Sequence, residues 1–367
     1  MKLLILSANT GGGHNGAARA IAKELEARGV QTTIKNGLDF VPAPMRSVLE
    51  RGHSIMYRYA PDLYGTAYEL TEQQEGHRLL YLEYANYALP LVAFLTKEGF
   101  DAVVATHIFA AFMLTGARKL DLLASPAFFV NTDYSFTPGA EETAMDGWFV
   151  AKGFADEFAQ RGIPRDRVFE TGIPVDSANY SPLARDDARR VLGLRDDVKL
   201  VLLGAGAIGC GPIKELALQL RERGGGRVCV AVLTGRNRNL LRELSQEADD
   251  ALLIPLPFTD KVTYWMAAAD VMMLKAGGLS TTEAASRGLP MVLMDAVPGL
   301  ETHNLDYFVG HGCAVTAQDQ QGLCDLALRI CDDPAFAEGI RQQQRELFGA
   351  NAVAKLVDIV LARCEEA

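Results

Sequence analysis

The chain has 367 residues, 49% of them hydrophobic, and a formal net charge of −10. That is enough apolar content for two ordinary domains with full cores, and the acidic balance opposes binding to nucleic acid or an anionic bilayer through bulk charge. No stretch approaches about 18 consecutive apolar residues, so no transmembrane helix is expected.

Residues 2–8, Lys-Leu-Leu-Ile-Leu-Ser-Ala, read as a buried strand and not as a signal peptide, because they run straight into a glycine loop. That loop, Asn9-Thr10-Gly11-Gly12-Gly13-His14-Asn15, leads into an Ala-rich helix at about 16–28. Strand, glycine loop and helix present backbone N–H groups where the helix dipole favours an anion or developing negative charge. A histidine there can act as a base near neutral pH. The alternative is a helix-start loop with a merely solvated His14.

Between 40 and 98 lies a long region expected to be helical, rich in aromatic residues: Phe40, Tyr57, Tyr59, Tyr64, Tyr68, Tyr81, Tyr84, Tyr87 and Phe94, with Met45 and Met56. Two readings stay open, an apolar-acceptor or membrane-facing surface and ordinary packing on a sheet. Its basic residues are matched by acidic ones, which weakens a polybasic lipid anchor. Further strands are expected at 101–105, 126–131 and 147–151, with a domain boundary from Gly172 to Pro182 and a helix at 184–192.

The second half repeats the alternation. Strands are expected at 198–204, 227–233, 251–255, 270–274 and 290–294, and helices at about 212–222, 237–248, 261–268, 279–287, 302–310 and 334–365. Continuous apolar strands alternating with helices imply parallel sheets covered on both faces. The expected fold is α/β, two Rossmann-like doubly wound domains facing a cleft, over 1–175 and 176–345, with residues 346–367 as a helix packing back. The six cysteines (Cys210, Cys229, Cys313, Cys324, Cys331, Cys364) form no C-x-x-C pair. This suits reduced thiols in a cytoplasmic protein and argues against a zinc or disulfide frame.

Gly204, Gly206 and Gly209 match G-x-G-x-x-G after a strand. The next strand ends Val232-Leu233-Thr234-Gly235-Arg236 without an acid for a ribose, so nicotinamide chemistry is the poorer reading, although the loop suits a diphosphate. Lys275-Ala276-Gly277-Gly278-Leu279-Ser280-Thr281-Thr282-Glu283 follows the strand at 270–274 and opens a helix. Glycines for close approach, a lysine for a phosphate and a glutamate for ribose hydroxyls make a donor site; the alternative is a capping box, Ser280-x-x-Glu283. Glu301 and Asn304 offer a carboxylate and an amide at the same edge.

Ser7 to Asn15, Asn131-Thr132-Asp133-Tyr134, Thr171 to Val175, Lys275 to Glu283 and Gly299-x-Glu301-x-x-Asn304 together resemble the processive diacylglycerol glucosyltransferases and plant monogalactosyldiacylglycerol synthases. More distantly they resemble the peptidoglycan N-acetylglucosaminyltransferase that acts on lipid I. The resemblance spans nearly the whole chain, in order. It implies a B-type glycosyltransferase, with an N-terminal acceptor domain, a C-terminal UDP-sugar domain and inversion at the anomeric carbon in one displacement. On that pattern His14 is the base, with Asp133 orienting it or sharing the role, and Gly11, Gly12, Gly13 and Tyr134 lie on the acceptor side. The donor would be held by Gly204, Gly206, Gly209, Arg236, Phe258 (beside the uracil), Lys275, Gly277, Gly278, Ser280, Thr281, Glu283, Glu301 and Asn304.

No metal and no cofactor is implied, and no Asp-x-Asp pair is present. The expected partners are a UDP-sugar and a lipid acceptor at the inner face of the cell membrane, met peripherally, with no nucleic acid. Three departures stand out: Tyr134 to Glu142 lacks the family's His and Trp, Leu300 replaces a common Gln, and Asp176 stands where a basic residue often follows. No phosphate contact is therefore expected at Asp176. Rival readings are transfer to another acceptor, a nucleotide-sugar epimerase and a non-catalytic nucleotide-sugar sensor.

Overall fold

The computed structural model describes residues 1–9, 12–50, 83–181, 183–204, 206, 211–248, 251–294 and 300–366. The chain divides into two compact units, one of Met1–Ser177 with Asn351–Ala367, the other of Ala178–Ala296 with Glu301–Ala350.

The first unit is built on β1 (Lys2–Ser7), β2 (Gln31–Asn36), β3 (Ala102–Ala105), β4 (Ala127–Val130), β5 (Gly147–Phe149) and β6 (Val168–Phe169). They form one sheet in the order β2-β1-β3-β4-β5-β6, and every pairing is parallel. Side chains alternate faces along each strand. Leu4, Leu6, Val103 and Phe129 therefore join one core, beneath the helix Ile108–Lys119. Leu3, Ile5, Val104 and Phe128 join the other, against the helices Gly12–Ala27 and Ala352–Glu366.

Among the described residues of the aromatic region, Phe40, Met45, Tyr84, Tyr87 and Phe94 pack on the first of these cores. Ordinary packing therefore accounts for this part of the region. Met56, Tyr57, Tyr59, Tyr64, Tyr68 and Tyr81 lie outside the described residues.

The second unit contains β7 (Lys199–Gly204), β8 (Val228–Leu233), β9 (Leu253–Leu256), β10 (Val271–Lys275), β11 (Met291–Met294) and β12 (Val315–Thr316). Their order, β12-β11-β10-β7-β8-β9, is the doubly wound one, again all parallel. In both sheets the order reverses beside the first strand, between β1 and β3 and between β7 and β10. Ligand crevices in open α/β sheets open at such reversals, outside the carboxyl ends of the strands.

Some details differ from the sequence expectations or add to them. The edge strand β2 is polar, Gln-Thr-Thr-Ile-Lys-Asn, and half-exposed, so it carries no apolar run. The stretch expected as one helix over 334–365 is two, Pro334–Phe348 and Ala352–Glu366. Gly349 ends the first, and the Asn351 side chain accepts from the Ala354 amide at 3.1 Å to start the second. The first helix stays with the second unit and the next one returns to the first. Asp176 pairs with Lys23 at 2.7 Å, which accounts for an acid at that position.

A buried ion pair ties the helix Arg185–Leu192 to the second sheet. The fully buried Arg189 donates to Asp270 at 2.9 Å and to the carbonyls of Arg195 and Val198 at 2.8 Å. Asp270 also accepts from Arg185 at 3.0 Å and from the Leu200 amide at 2.8 Å. Removing one partner of such a pair strands a buried charge, at a cost of about 3–5 kcal/mol. Asp270→Ala should therefore lower the stability of the second unit by that amount. Urea unfolding followed through Trp265 in a Trp148→Phe background measures it, and a loss under about 1 kcal/mol would contradict the assignment.

Candidate functional site

In the first unit the helix after β1 begins at Gly12, earlier than the expected 16, so His14 lies inside its first turn. The first N–H groups of a helix have no intrahelical partner, and Gly12 and Gly13 keep that end free of side chains. Gly11 lies outside the described residues. Ser7 donates to Asn15 at 2.7 Å, and Asn15 to Asn9 at 3.0 Å, latching strand end to helix start.

β3 extends its ladder by one bond, Thr106 N–H to the Leu6 carbonyl at 2.9 Å. This sets the Thr106 carbonyl 2.8 Å from His14 Nδ1. A carbonyl only accepts, so Nδ1 carries the proton and Nε2 holds the basic lone pair. Thr132 Oγ1 sits 3.0 Å from the same nitrogen and 3.4 Å from an Asp133 oxygen. The one Nδ1 proton is thus shared between the Thr106 carbonyl and Thr132 Oγ1, and Thr132 turns its own hydroxyl toward Asp133. The Asp133 charge and the Thr106 carbonyl favour the imidazolium, but burial outweighs both and holds the His14 pKa below its ordinary 6.5. Asn131 shapes the loop after β4, donating to the Asp133 and Ser135 carbonyls at 3.1 and 2.7 Å. Tyr134 is 2% exposed and so presents no open ring face to an acceptor.

In the second unit the expected donor residues follow successive strands at one sheet edge. Gly204 ends β7, Arg236 follows β8, Phe258 follows β9, and Lys275 ends β10. Gly206 has φ +68° and Gly211 φ +105°, and a Cβ at Gly211 would stand 3.9 Å from Lys275 Cε. Gly211 therefore lies against Lys275, while Gly209 is outside the described residues.

The helix Gly278–Ser286 has Gly277 as its N-cap, with no side-chain cap bond. Ser280 is thus already inside the helix, which removes the capping-box reading of Ser280 and Glu283. Among the described residues, a Cβ at Gly277 would meet nothing within 4 Å. Lys275 and Glu283 are partly exposed and Ser280 is exposed.

Two expected donor contacts are corrected. Thr281 is fully buried and bonds back to the Gly277 carbonyl at 2.8 Å. Asn304 is also fully buried, and its amide donates to the Ala276 carbonyl at 2.9 Å. Both side chains shape the Lys275–Gly278 turn from beneath. Glu301, in the first turn of the helix Leu300–Gly310, stays partly exposed.

Phe258 is 68% exposed, with the Arg236 guanidinium 5.8 Å from its ring centre. It borders a cavity of about 600 Å³ that Leu256, Pro257, Thr259, Lys261 and Trp265 also line. No three His, Cys, Asp or Glu side chains gather as a metal-ligand set among the described residues.

Thr106 and Thr132 were missed by the sequence reading as parts of the His14 seat. Thr106 directly follows the expected strand 101–105, and the place where β3 neighbours β1 is the signal that could have found it.

The family described as monogalactosyldiacylglycerol (MGDG) synthase matches residues 14–175. A processive diacylglycerol beta-glucosyltransferase of Bacillus cytotoxicus is 25% identical over 366 residues, covering 98% of this chain and 93% of that protein. Among solved structures, MurG of Acinetobacter baumannii superposes with a TM-score of 0.64 at 16% identity, over 98% of this chain and 99% of that one. The UDP-GlcNAc 2-epimerase of Neisseria meningitidis, bound to UDP-GlcNAc, gives 0.64 at 14% identity, over 99% and 100%. The chain thus has the B-type glycosyltransferase fold, matches the monogalactosyldiacylglycerol synthase family through residues 14–175, and is similar over nearly its whole length to the processive diacylglycerol glucosyltransferases.

Proposed function

We propose that the protein transfers a hexose from a UDP-sugar to diacylglycerol, with inversion, without a metal or other cofactor, and with His14 as the base. The observation that carries this reading is the Nδ1 contact to the Thr106 carbonyl at 2.8 Å, which leaves Nε2 as the proton acceptor. In the reaction the acceptor hydroxyl oxygen attacks the anomeric carbon from the face opposite the diphosphate. His14 Nε2 takes the hydroxyl proton as the new C–O bond forms. The bond to UDP breaks, and its electron pair leaves with the diphosphate.

The charge that develops on UDP is met by the uncapped start of the helix Gly278–Ser286 and by Lys275. Gly204, Gly206, Gly209 and Gly277 let the backbone approach the diphosphate. Glu283 accepts the ribose hydroxyls, and Glu301 those of the donor sugar. Phe258 and Arg236 border the uracil. Lipid is met at the inner face of the cell membrane by a cytoplasmic protein that docks peripherally.

The epimerase likeness is one of fold, at 14% identity. The match over residues 14–175 and the transferase relatives at 25% identity favour transfer over epimerisation. Diacylglycerol in mixed micelles, incubated with radiolabelled UDP-glucose or UDP-galactose in buffer containing EDTA, should yield a labelled glycolipid. An interconverted UDP-sugar with no glycolipid would point to the epimerase, and UDP binding with no turnover would point to another acceptor or to a sensor.

His14→Ala should cut transfer roughly 10²- to 10⁴-fold with UDP affinity unchanged, and undiminished turnover would refute the base. The active form is the neutral imidazole and its pKa is lowered, so kcat/KM should fall only as pH drops through a value below 6.5. Glu283→Ala should weaken UDP binding roughly tenfold or more, as expected for hydrogen bonds to a charged group. Calorimetry with UDP checks this, and an unaltered affinity would remove Glu283 from the ribose.

A further inference from the structure

His107 stands against His14 and has no part in the proton transfer just described. The two rings meet edge to face, with centroids 4.6 Å apart and planes at 71°. His107 is the N-cap of the helix Ile108–Lys119, and its Nδ1 accepts from the Phe109 amide at 3.2 Å. That bond fixes the ring from behind. Only 9% of His107 is exposed. Its ring also packs against Phe109, with centroids 4.6 Å apart, and Phe109 stacks on the buried Tyr84 at 4.0 Å. A row of rings thus runs from the core of the first unit to the His14 ring, while Thr106 and Thr132 hold its Nδ1.

Taking His14 as the base, we propose that His107 is a positioning residue: its clamped ring fixes the His14 imidazole on the Thr106 carbonyl so that Nε2 alone is presented to the acceptor hydroxyl. Without the ring, His14 gains room to rotate about χ2, and either nitrogen can face outward. Water also reaches the imidazole. Among the described residues, the titratable groups around the pair are Asp133, reached through Thr132 from the loop after β4, and Tyr84 stacked on Phe109.

Two substitutions separate the ring from the cap. Asparagine is a favoured N-cap and keeps an acceptor for the Phe109 amide, so His107→Asn removes the ring and preserves the helix start. His107→Phe keeps a ring and loses the acceptor. With UDP-glucose and diacylglycerol, His107→Asn should lower kcat roughly 10- to 100-fold, the scale of a misplaced catalytic group, with KM for UDP-glucose within about twofold. Its acid limb should move to higher pH as His14 becomes hydrated. His107→Phe should keep kcat near the parent value while melting at a lower temperature.

A His107→Asn enzyme with parental kcat and pH profile overturns the inference, as does an equal loss of kcat in both variants. His14→Ala is assayed alongside. If it retains parental turnover, the base reading itself has failed; if it is inactive while His107→Asn is unaffected, only the positioning role has.

Discussion

The Thr106 carbonyl accepts the His14 Nδ1 proton at 2.8 Å, and the chemistry assigned to the first unit depends on that bond. Rotated about χ2, the same imidazole would offer a different nitrogen to a substrate. The carbonyl stands where it does because β3 lies beside β1 in a parallel sheet and runs one bond past its end. β2 occupies the other side of β1, so the helices after β1 and β3 leave the sheet at the reversal of strand order. Thr132 then arrives from the neighbouring β4. Three carboxyl-end segments far apart in sequence thus supply one seat, and the sheet holds its parts in place.

The second unit repeats the device in a form suited to an anion. The helix Gly278–Ser286 has Gly277 as its N-cap and no side-chain cap bond, and its first N–H groups have no intrahelical partner. Thr281 and Asn304 both spend their polar groups on backbone carbonyls of the turn below. Their burial in bonded form costs little and fixes the turn from which Lys275 projects. The residues proposed to touch a ligand and the residues that shape the turn are therefore different, although they sit in the same motif.

Much of this was legible in the amino-acid order. The long apolar strands, the glycine turns after β1, β7 and β10, and His14, Lys275 and Glu283 near them are local signals; Lys275 ends β10, His14 lies in the first turn of the helix after β1, and Glu283 lies within the helix Gly278–Ser286. What escaped reading is non-local or weakly patterned. β2 is an edge strand with a polar face, and β6 and β12 have two residues each, too short for a periodicity. Thr106 and Thr132 look like ordinary strand-end residues until the strand order is known. Asn304 reads as a sugar ligand from its spacing, and only its burial shows that its amide serves the loop. Gly11, Gly209 and most of the aromatic region between 40 and 98 lie outside the described residues.

The most direct measurement is a nitrogen-15 NMR titration of the imidazoles in protein labelled at histidine, with His14 assigned by comparison with His14→Ala. The account predicts a neutral His14 with its proton on Nδ1, an unprotonated Nε2, and a titration midpoint below the ordinary 6.5. A neutral His14 protonated at Nε2 would place the lone pair on the Thr106 side and contradict the assignment of the base.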